Sequence, residues 1–228
     1  MRIFIGLMSG TSVDGLDASI IRSDGENFEI INDMFIPFNK EIKEKVNNIL
    51  ELVNIRDTNH IKKNSNLIRE ISLVEKIFTE QNIEIVSKIL NESQLKNTDI
   101  TSIGFHGQTI YHNAQDKINY CLGDANYLAN SCMINVIHNF RKKDLLYGGC
   151  GAPLMPIYHK YLIESSSQTR NNIEDNIILN IGGVANITYF NSYSSIFDIK
   201  SFDCGVGNYL IDYLWLGYST YLTIKEEK

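Results

Sequence analysis

Glycine-rich turns that also carry small polar or acidic residues are the candidate chemical machinery of this 228-residue chain. Glycine lets a backbone approach a ligand closely, and successive N–H groups in such turns bind anions, above all phosphate. One such turn alone is better explained as a simple chain reversal, but several together favour a nucleotide or sugar site. The stretches are MSGTSVDG (8–15), FHGQT (105–109), GGCGAP (148–153), NIGGVAN (180–186) and FDCGVGN (202–208).

Two familiar phosphate motifs do not describe these turns. A Walker-type loop needs a lysine, and residues 6–15 contain none. The stretch GGCGAPL begins like a dinucleotide-binding motif but has Leu154 where the third glycine belongs. The pattern therefore indicates a different kind of phosphate site.

Composition limits the class of protein. With 43% hydrophobic and 21% charged residues, the chain is predicted to be globular. Its net charge of −6 and its scattered Lys and Arg residues argue against nucleic acid or an anionic membrane as a partner. No apolar run approaches the ~20 residues of a membrane span, and the first strand is too short for a signal peptide, so we expect a cytoplasmic protein. The four cysteines lack CxxC spacing and are predicted to be reduced and mostly buried.

Hydrophobic periodicity predicts a mixed α/β chain. A meander of three strands opens it, helical spacing follows, and strand patterns then return before a glycine-rich loop and a helix. A hairpin with a Gly-Gly turn comes next, followed by a strand end, a loop and a last helix. The predicted strands lie at 2–9, 17–23, 28–38, 100–112, 133–140 and 176–190, and the helical patterns at 42–53 and 71–90, joined by the polar stretch 56–66.

We divide the chain into a first domain over residues 1–136 and a second over residues 137–228. One glycine-turn hairpin is predicted near the start of the chain and a second after its middle. Two such hairpins suit the duplicated actin and sugar kinase fold, which clamps phosphates between two lobes.

The order and spacing of these motifs resemble a known family. IGLMSGTSVDGLDA, GFHGQTIYH, FRKKD, GGCGAPL, NIGGVANIT and FDCGVGN are similar, in that order, to the motifs of the anhydro-N-acetylmuramic acid kinases, from residue 3 to about residue 213. The resemblance implies the two-lobed actin, sugar kinase and heat-shock ATPase fold, built on the ribonuclease H-like motif. It also implies an enzyme of peptidoglycan recycling that uses ATP and water to open the 1,6-anhydro ring and phosphorylate O6, giving N-acetylmuramic acid 6-phosphate.

The resemblance assigns phosphate binding to the two hairpins. In the first, backbone N–H groups and hydroxyls would face ATP, and Asp14 would hold Mg²⁺ directly or through water. In the second, the amides of Gly182 and Gly183 would face the γ-phosphate. The residues of the first segment are Gly10, Thr11, Ser12, Val13, Asp14, Gly15, Leu16 and Asp17.

Catalysis and sugar binding are assigned in the same way. Asp203 matches the general base that takes a proton from the attacking water, although on its own it could be a plain helix cap. Arg141 matches an arginine that pairs with the lactyl carboxylate of the sugar; the alternative is a solvated side chain beside two lysines. His106, Gln108 and Thr109 match the HGQT segment that lines the sugar site, where a lone buried histidine is more often structural than catalytic.

The chain departs from the family pattern at four positions. The family has Asp at Asn139, Gln at Cys121, Gln at Cys150 and Pro at Val206, so polar groups or a rigid turn are lost.

Family members also continue through more of the second lobe, which leads us to expect a truncated kinase with exposed apolar surface. The residues concerned are Leu179, Ile181, Leu210, Leu214 and Trp215. Three alternatives to an active kinase stay open: a sugar-binding pseudokinase, a non-functional remnant, and, more distantly, a chaperone-type ATPase of the same fold. A homodimer or a separately encoded missing lobe is a further possibility.

Overall fold

A computed structural model describes residues 1–54, 65–165, 175–191, 193 and 195–215. The chain forms two compact units, Met1–Gly151 and Ala152–Lys228. The predicted boundary at residue 136 therefore falls inside the first unit. Most of the linker stretch 56–66 and the whole of the final stretch 216–228 lie outside the described residues.

A five-stranded sheet organises the first unit, and it confirms the mixed α/β class. The strand order is β3-β2-β1-β4-β7, in which β1 pairs antiparallel with β2 and parallel with β4, and β4 pairs parallel with β7. This is the ribonuclease H-like arrangement implied by the resemblance. The strands are β1 (Arg2–Met8), β2 (Gly15–Ser23), β3 (Phe28–Pro37), β4 (Ile100–Phe105) and β7 (Val136–His138).

Alternating apolar residues place one face of this sheet against two helices, α1 (Lys40–Asn54) and α2 (Ser65–Glu92). Register pairs Ile5 with Ile20 on that face, and both are fully buried. Phe78 of α2 is completely buried, with its ring centroid 6.0 Å from that of Phe38 and 6.5 Å from that of Phe105. The opening meander and both helices were predicted from periodicity and are confirmed.

Between β4 and β7 the chain forms a separate hairpin of β5 (Gln108–Asn113) and β6 (Ile118–Leu122), followed by α3 (Ala125–Cys132). Asp124 begins α3 as an N-cap, since its carboxylate accepts hydrogen bonds from the N–H groups of Asn126 and Tyr127. Neither β6 nor α3 was predicted from the sequence.

The predicted strand over residues 133–140 is wrong at both ends. Only Val136–His138 is a strand, and helix α4 (Phe140–Leu146) begins two residues later. Asn139 separates them in the left-handed region, with φ of 61°, a conformation that asparagine tolerates better than most residues. A strand cannot continue through such a residue.

The second unit contains helix α5 (Pro156–Ser165) and a three-stranded antiparallel sheet of order β10-β9-β8. The strands are β8 (Asp175–Ile181), β9 (Val184–Asn191) and β10 (Lys200–Val206), and residues 209–215 are helical. The predicted hairpin with its turn at Gly182 and Gly183 is confirmed.

Helix α5 packs on one face of this sheet. His159 lies 2.9 Å from the Thr188 hydroxyl, measured from Nδ1, and Lys160 lies over the ring of Phe190, 5.2 Å from its centroid. The predicted exposure of apolar side chains in this unit is confirmed for Leu179, Ile181, Leu210, Leu214 and Trp215.

Candidate functional site

The loop between β1 and β2 is a compact turn that presents polar side chains to solvent. The Val13 N–H donates to the Gly10 carbonyl over 3.2 Å, and Val13 has φ of 52° with its side chain buried. Thr11, Ser12 and Asp14 are exposed. The structure therefore gathers polar groups of the predicted phosphate segment on one turn. The side chains of Val13 and Leu16 are buried and do not face a ligand.

Asp14 organises the far end of this turn. One carboxylate oxygen, Oδ1, accepts from the Ser12 hydroxyl at 2.7 Å and from the Gly15 N–H at 3.1 Å. The Asp14 carbonyl accepts from the Phe38 N–H at 2.9 Å. The N–H of Gly15, predicted as a phosphate donor, is thus engaged by Asp14. Glycine is required here for another reason, because a Cβ would meet the Ile36 carbonyl oxygen at 2.5 Å.

Asp17 lies on β2 with its pKa raised, first by partial burial and then by the nearby charges of Asp14 and Asp33. The carboxylates of Asp14, Asp17 and Asp33 together make a negative region, which attracts a cation and repels bare phosphate. A divalent ion that accompanies the phosphates would neutralise this repulsion.

Gln108, at the start of β5, joins this turn to the HGQT segment. Its side chain is 1% exposed, and Oε1 accepts from the Ser9 hydroxyl at 2.5 Å. Nε2 donates to the carbonyl of Gly10 at 3.2 Å. Thr109 is half-buried, and its hydroxyl lies 3.4 Å from the Cys121 sulfur.

His106 and Arg141 form the second long-range contact of this segment. The Nε–H of Arg141 donates to Nε2 of His106 over 3.0 Å, and Nδ1 of His106 lies 2.7 Å from the Gly107 carbonyl. Because a guanidinium only donates and a carbonyl only accepts, His106 is neutral with its proton on Nδ1. Burial, followed by the charge of Arg141, lowers the pKa of His106 and keeps it neutral.

Arg141 is held in a defined orientation and is not a solvated side chain. Besides the bond to His106, Nη1 donates to the Gly151 carbonyl at 2.9 Å, and the guanidinium is half-buried. The pKa of Arg141 is lowered, because the effect of burial is larger than the opposing effect of the nearby Cys121. Among the described residues no hydrogen bond engages Nη2 of Arg141. Its two N–H groups can therefore donate to the oxygens of a carboxylate.

The loop at 148–151 is shaped by Asp144. Oδ2 of Asp144 accepts from the Gly151 N–H at 2.7 Å, and a Cβ at Gly149 would collide with the same carboxylate. Glycine at 149 therefore leaves room for the Asp144 carboxylate to bind the Gly151 N–H. This contact orients Gly151 so that its carbonyl accepts from Nη1 of Arg141. The glycines here have a structural role in building the arginine's surroundings.

The four departures from the family pattern occupy different environments. Cys121 contacts Thr109 beside the guanidinium, and Cys150 is exposed with its carbonyl 2.9 Å from Nε2 of His112. Asn139 makes no capping bond with its side chain, and Val206 is exposed at the end of β10.

All four cysteines are free. Cys150 and Cys204 are exposed and the other two are half-buried, so the expectation that most are buried was wrong.

In the second unit, the Gly-Gly turn is bound by residues that follow β10. The N–H of Gly207 donates to the Gly183 carbonyl at 3.0 Å, and that of Asn208 donates to the Gly182 carbonyl at 2.7 Å. A Cβ on Gly207 would overlap the Gly182 carbonyl oxygen. We call these contacts the 182–208 clip. The two stretches are similar in composition, but the contact between them was not predicted from the sequence.

Asp203 lies within β10, directly opposite Asn186, and its side chain is exposed. The register shifts between Asp203 and Gly205, so a bulge follows the carboxylate. Helical structure begins only at residue 209, after Asn208, whose carbonyl accepts from the Asp212 N–H. Asp203 is therefore not a helix cap, and that alternative is excluded by its position.

No group of three or more metal-ligating side chains occurs in the described ranges, and none of their helices is long and apolar enough to cross a membrane.

Comparison with known proteins gives a consistent match. The family model for anhydro-N-acetylmuramic acid kinase matches residues 2–220. Over 213 residues the chain is 44% identical to an anhydro-N-acetylmuramic acid kinase of Pelagibacter ubique, covering 91% of this chain and 52% of the relative. A Rhizobium etli protein of the same name is 35% identical, with 93% and 55% covered. The chain thus spans about half the length of the curated relatives it matches.

Similarity to solved structures is distant. An exopolyphosphatase-like protein aligns with a TM-score of 0.44 at 8% identity, covering 91% of this chain and 51% of that one. A Ppx/GppA phosphatase of Aquifex aeolicus aligns with a TM-score of 0.40 at 8% identity, covering 90% and 53%. These scores are too low to support a functional inference.

Proposed function

The chain belongs to the anhydro-N-acetylmuramic acid kinase family, and from this premise we propose that it serves an ATP-dependent kinase that opens 1,6-anhydro-N-acetylmuramic acid with water and phosphorylates O6. The product is N-acetylmuramic acid 6-phosphate. The observation that carries the proposal is that the family match runs over residues 2–220, which include every candidate loop and both hairpins.

The turn at 9–14 supplies the first phosphate contact. Its exposed Thr11 hydroxyl and its backbone N–H groups other than that of Val13 can donate, and donors suit phosphate oxygens. Oδ2 of Asp14 accepts no hydrogen bond from the described part of the chain, so it is available to Mg²⁺, a cation that prefers oxygen ligands. When bound with ATP, Mg²⁺ neutralises phosphate charge. Gly182 and Gly183 supply the second contact in this proposal.

Arg141 is the residue that receives the lactyl carboxylate. Its guanidinium is half-buried and anchored at two points, so little side-chain entropy is lost on binding. The two N–H groups of Nη2 would donate to the carboxylate oxygens. His106 acts through Arg141, as a neutral acceptor that sets the orientation of the guanidinium.

Asp203 is the proposed general base. It takes a proton from water while the water oxygen bonds to the anomeric carbon, and the bond from that carbon to O6 breaks. O6 then attacks the γ-phosphorus of ATP, which releases ADP. The exposed position of Asp203 on β10 leaves its carboxylate accessible to water.

A coupled ATPase assay on the purified chain, with and without the anhydro sugar, tests this function. We expect sugar-dependent turnover that Asp203→Asn reduces by about 10²-fold or more. Asp198→Asn, an exposed carboxylate in the turn before β10, is the matched control and should leave turnover unchanged.

Binding measurements separate the alternatives. Because the chain spans about half of its relatives, calorimetry with the sugar and with a non-hydrolysable ATP analogue accompanies the assay. Sugar binding without turnover would point to a pseudokinase. A folded chain that binds neither ligand would refute the proposal and favour a remnant.

A further inference from the structure

The Gln108 side chain is directed at the first turn and away from solvent. Its amide is 1% exposed, and Ser9, which donates to it at 2.5 Å, is 3% exposed. Nε2 donates to the carbonyls of Gly10 and Thr109, at 3.2 Å and 3.4 Å. Each end of the amide is therefore occupied by the protein itself.

The direction of these bonds fixes how the amide is oriented. If the oxygen and nitrogen were exchanged, Oε1 would face the Gly10 carbonyl, and two acceptors would be in contact. The observed orientation instead gives every polar atom a partner, as a buried amide requires. A ligand could reach this amide only by displacing Ser9 or Gly10.

Resting on the proposed function, we propose that Gln108 is a positioning residue for the phosphate turn and does not contact the sugar. It fixes the point where β1 ends and the turn begins, across 99 residues of sequence. His106, two residues earlier, holds Arg141 in the same way. The segment 106–108 therefore aligns the nucleotide turn and the sugar arginine from a single short piece of backbone.

Gln108→Met tests this inference, because methionine has a similar length and shape and makes none of the three hydrogen bonds of the amide. We expect amide hydrogen exchange in residues 9–14 to become about tenfold faster, since the two hydrogen bonds that join Gln108 to Ser9 and Gly10 are lost. Ser9→Ala removes one of them and should give a smaller increase. Tyr120→Ala, exposed on the neighbouring strand of the same hairpin, is the control and should change nothing in that segment.

Ligand affinities distinguish positioning from contact. For Gln108→Met we expect about tenfold weaker binding of the ATP analogue with Mg²⁺, and sugar affinity within about twofold of wild type. The double variant with Ser9→Ala should lose no more than Gln108→Met alone, because the two residues share one bond.

Two results would overturn the inference. One is unchanged exchange in residues 9–14, and the other is a loss of sugar affinity with nucleotide affinity intact. If the wild-type chain binds no nucleotide, the proposed function fails, and the exchange experiment alone decides the role of Gln108.

Discussion

Gly207→Ala should release the turn at Gly182 and Gly183 from the segment 207–209, which follows β10. The new Cβ would overlap the carbonyl oxygen of Gly182 and would lie 3.2 Å from the carbon of the same group. Both of these atoms belong to the backbone, so no flexible side chain can move aside. Either the turn and the 207–209 segment separate, or the clip stays closed with its backbone overpacked.

The expected cost follows from the contacts that are lost. Two hydrogen bonds of the 182–208 clip, at 3.0 Å and 2.7 Å, contribute about 1 kcal/mol each. If the clip instead stays closed, overpacking costs about 1–3 kcal/mol. The two routes together give an expected destabilisation of this part of the chain of about 1–3 kcal/mol.

Gly182→Ala is the matched control within the same clip. A Cβ there has the Val184 carbonyl oxygen as its nearest neighbour, at 3.6 Å, which is an ordinary contact distance. We expect its stability to remain within about 1 kcal/mol of wild type.

Native-state hydrogen exchange, with urea unfolding monitored by circular dichroism, measures both variants. Gly207→Ala should show much faster exchange at the N–H groups of residues 207 and 208, whereas Gly182→Ala should not. Equal exchange in the two variants would refute this explanation, since they are expected to differ only in the collision at Gly207.

Three further outcomes are expected in the first unit. Because the folded pKa of His106 is lowered from its ordinary value of 6.5, its contribution to stability is complete above about pH 6.5 and declines as the pH falls toward the folded pKa. Urea unfolding of wild type and His106→Asn at pH 7.5 and 5.5 should show a weaker pH dependence in the variant, and equal slopes would contradict the neutral acceptor assigned beside Arg141. Phe78→Ala should reduce the free energy of unfolding by about 3–5 kcal/mol, because the ring is fully buried; a loss below 1 kcal/mol in the same assay would contradict its place in the core. Asp124→Ala should cost about 1 kcal/mol and speed exchange at Asn126 if the N-cap stabilises α3, and unchanged exchange there would argue against it.

Elements with a strong local pattern were predictable from the sequence. Alternation in β1 and β2, and helical spacing in α1 and α2, each follow from which side chains must be buried, and the structure confirms them. The strand predicted to residue 140 failed because Asn139 adopts a left-handed conformation, which apolar periodicity does not report. Helix α3 was missed because it is only eight residues long, although Asp124 before it was a usable cap signal.

The sequence by itself determined the mixed α/β class, the two glycine-turn hairpins and the family, because these depend on local periodicity and on the order of short motifs. Tertiary structure alone decided which side chains of those motifs are bound by other parts of the protein and which are exposed. The buried Gln108 amide is hydrogen-bonded to Ser9, 99 residues away, and Arg141 is oriented by His106, 35 residues away. Hydrogen bonds across such separations form only when the strands that carry them pack together, so the composition of a motif cannot distinguish a binding residue from one that holds a loop in place.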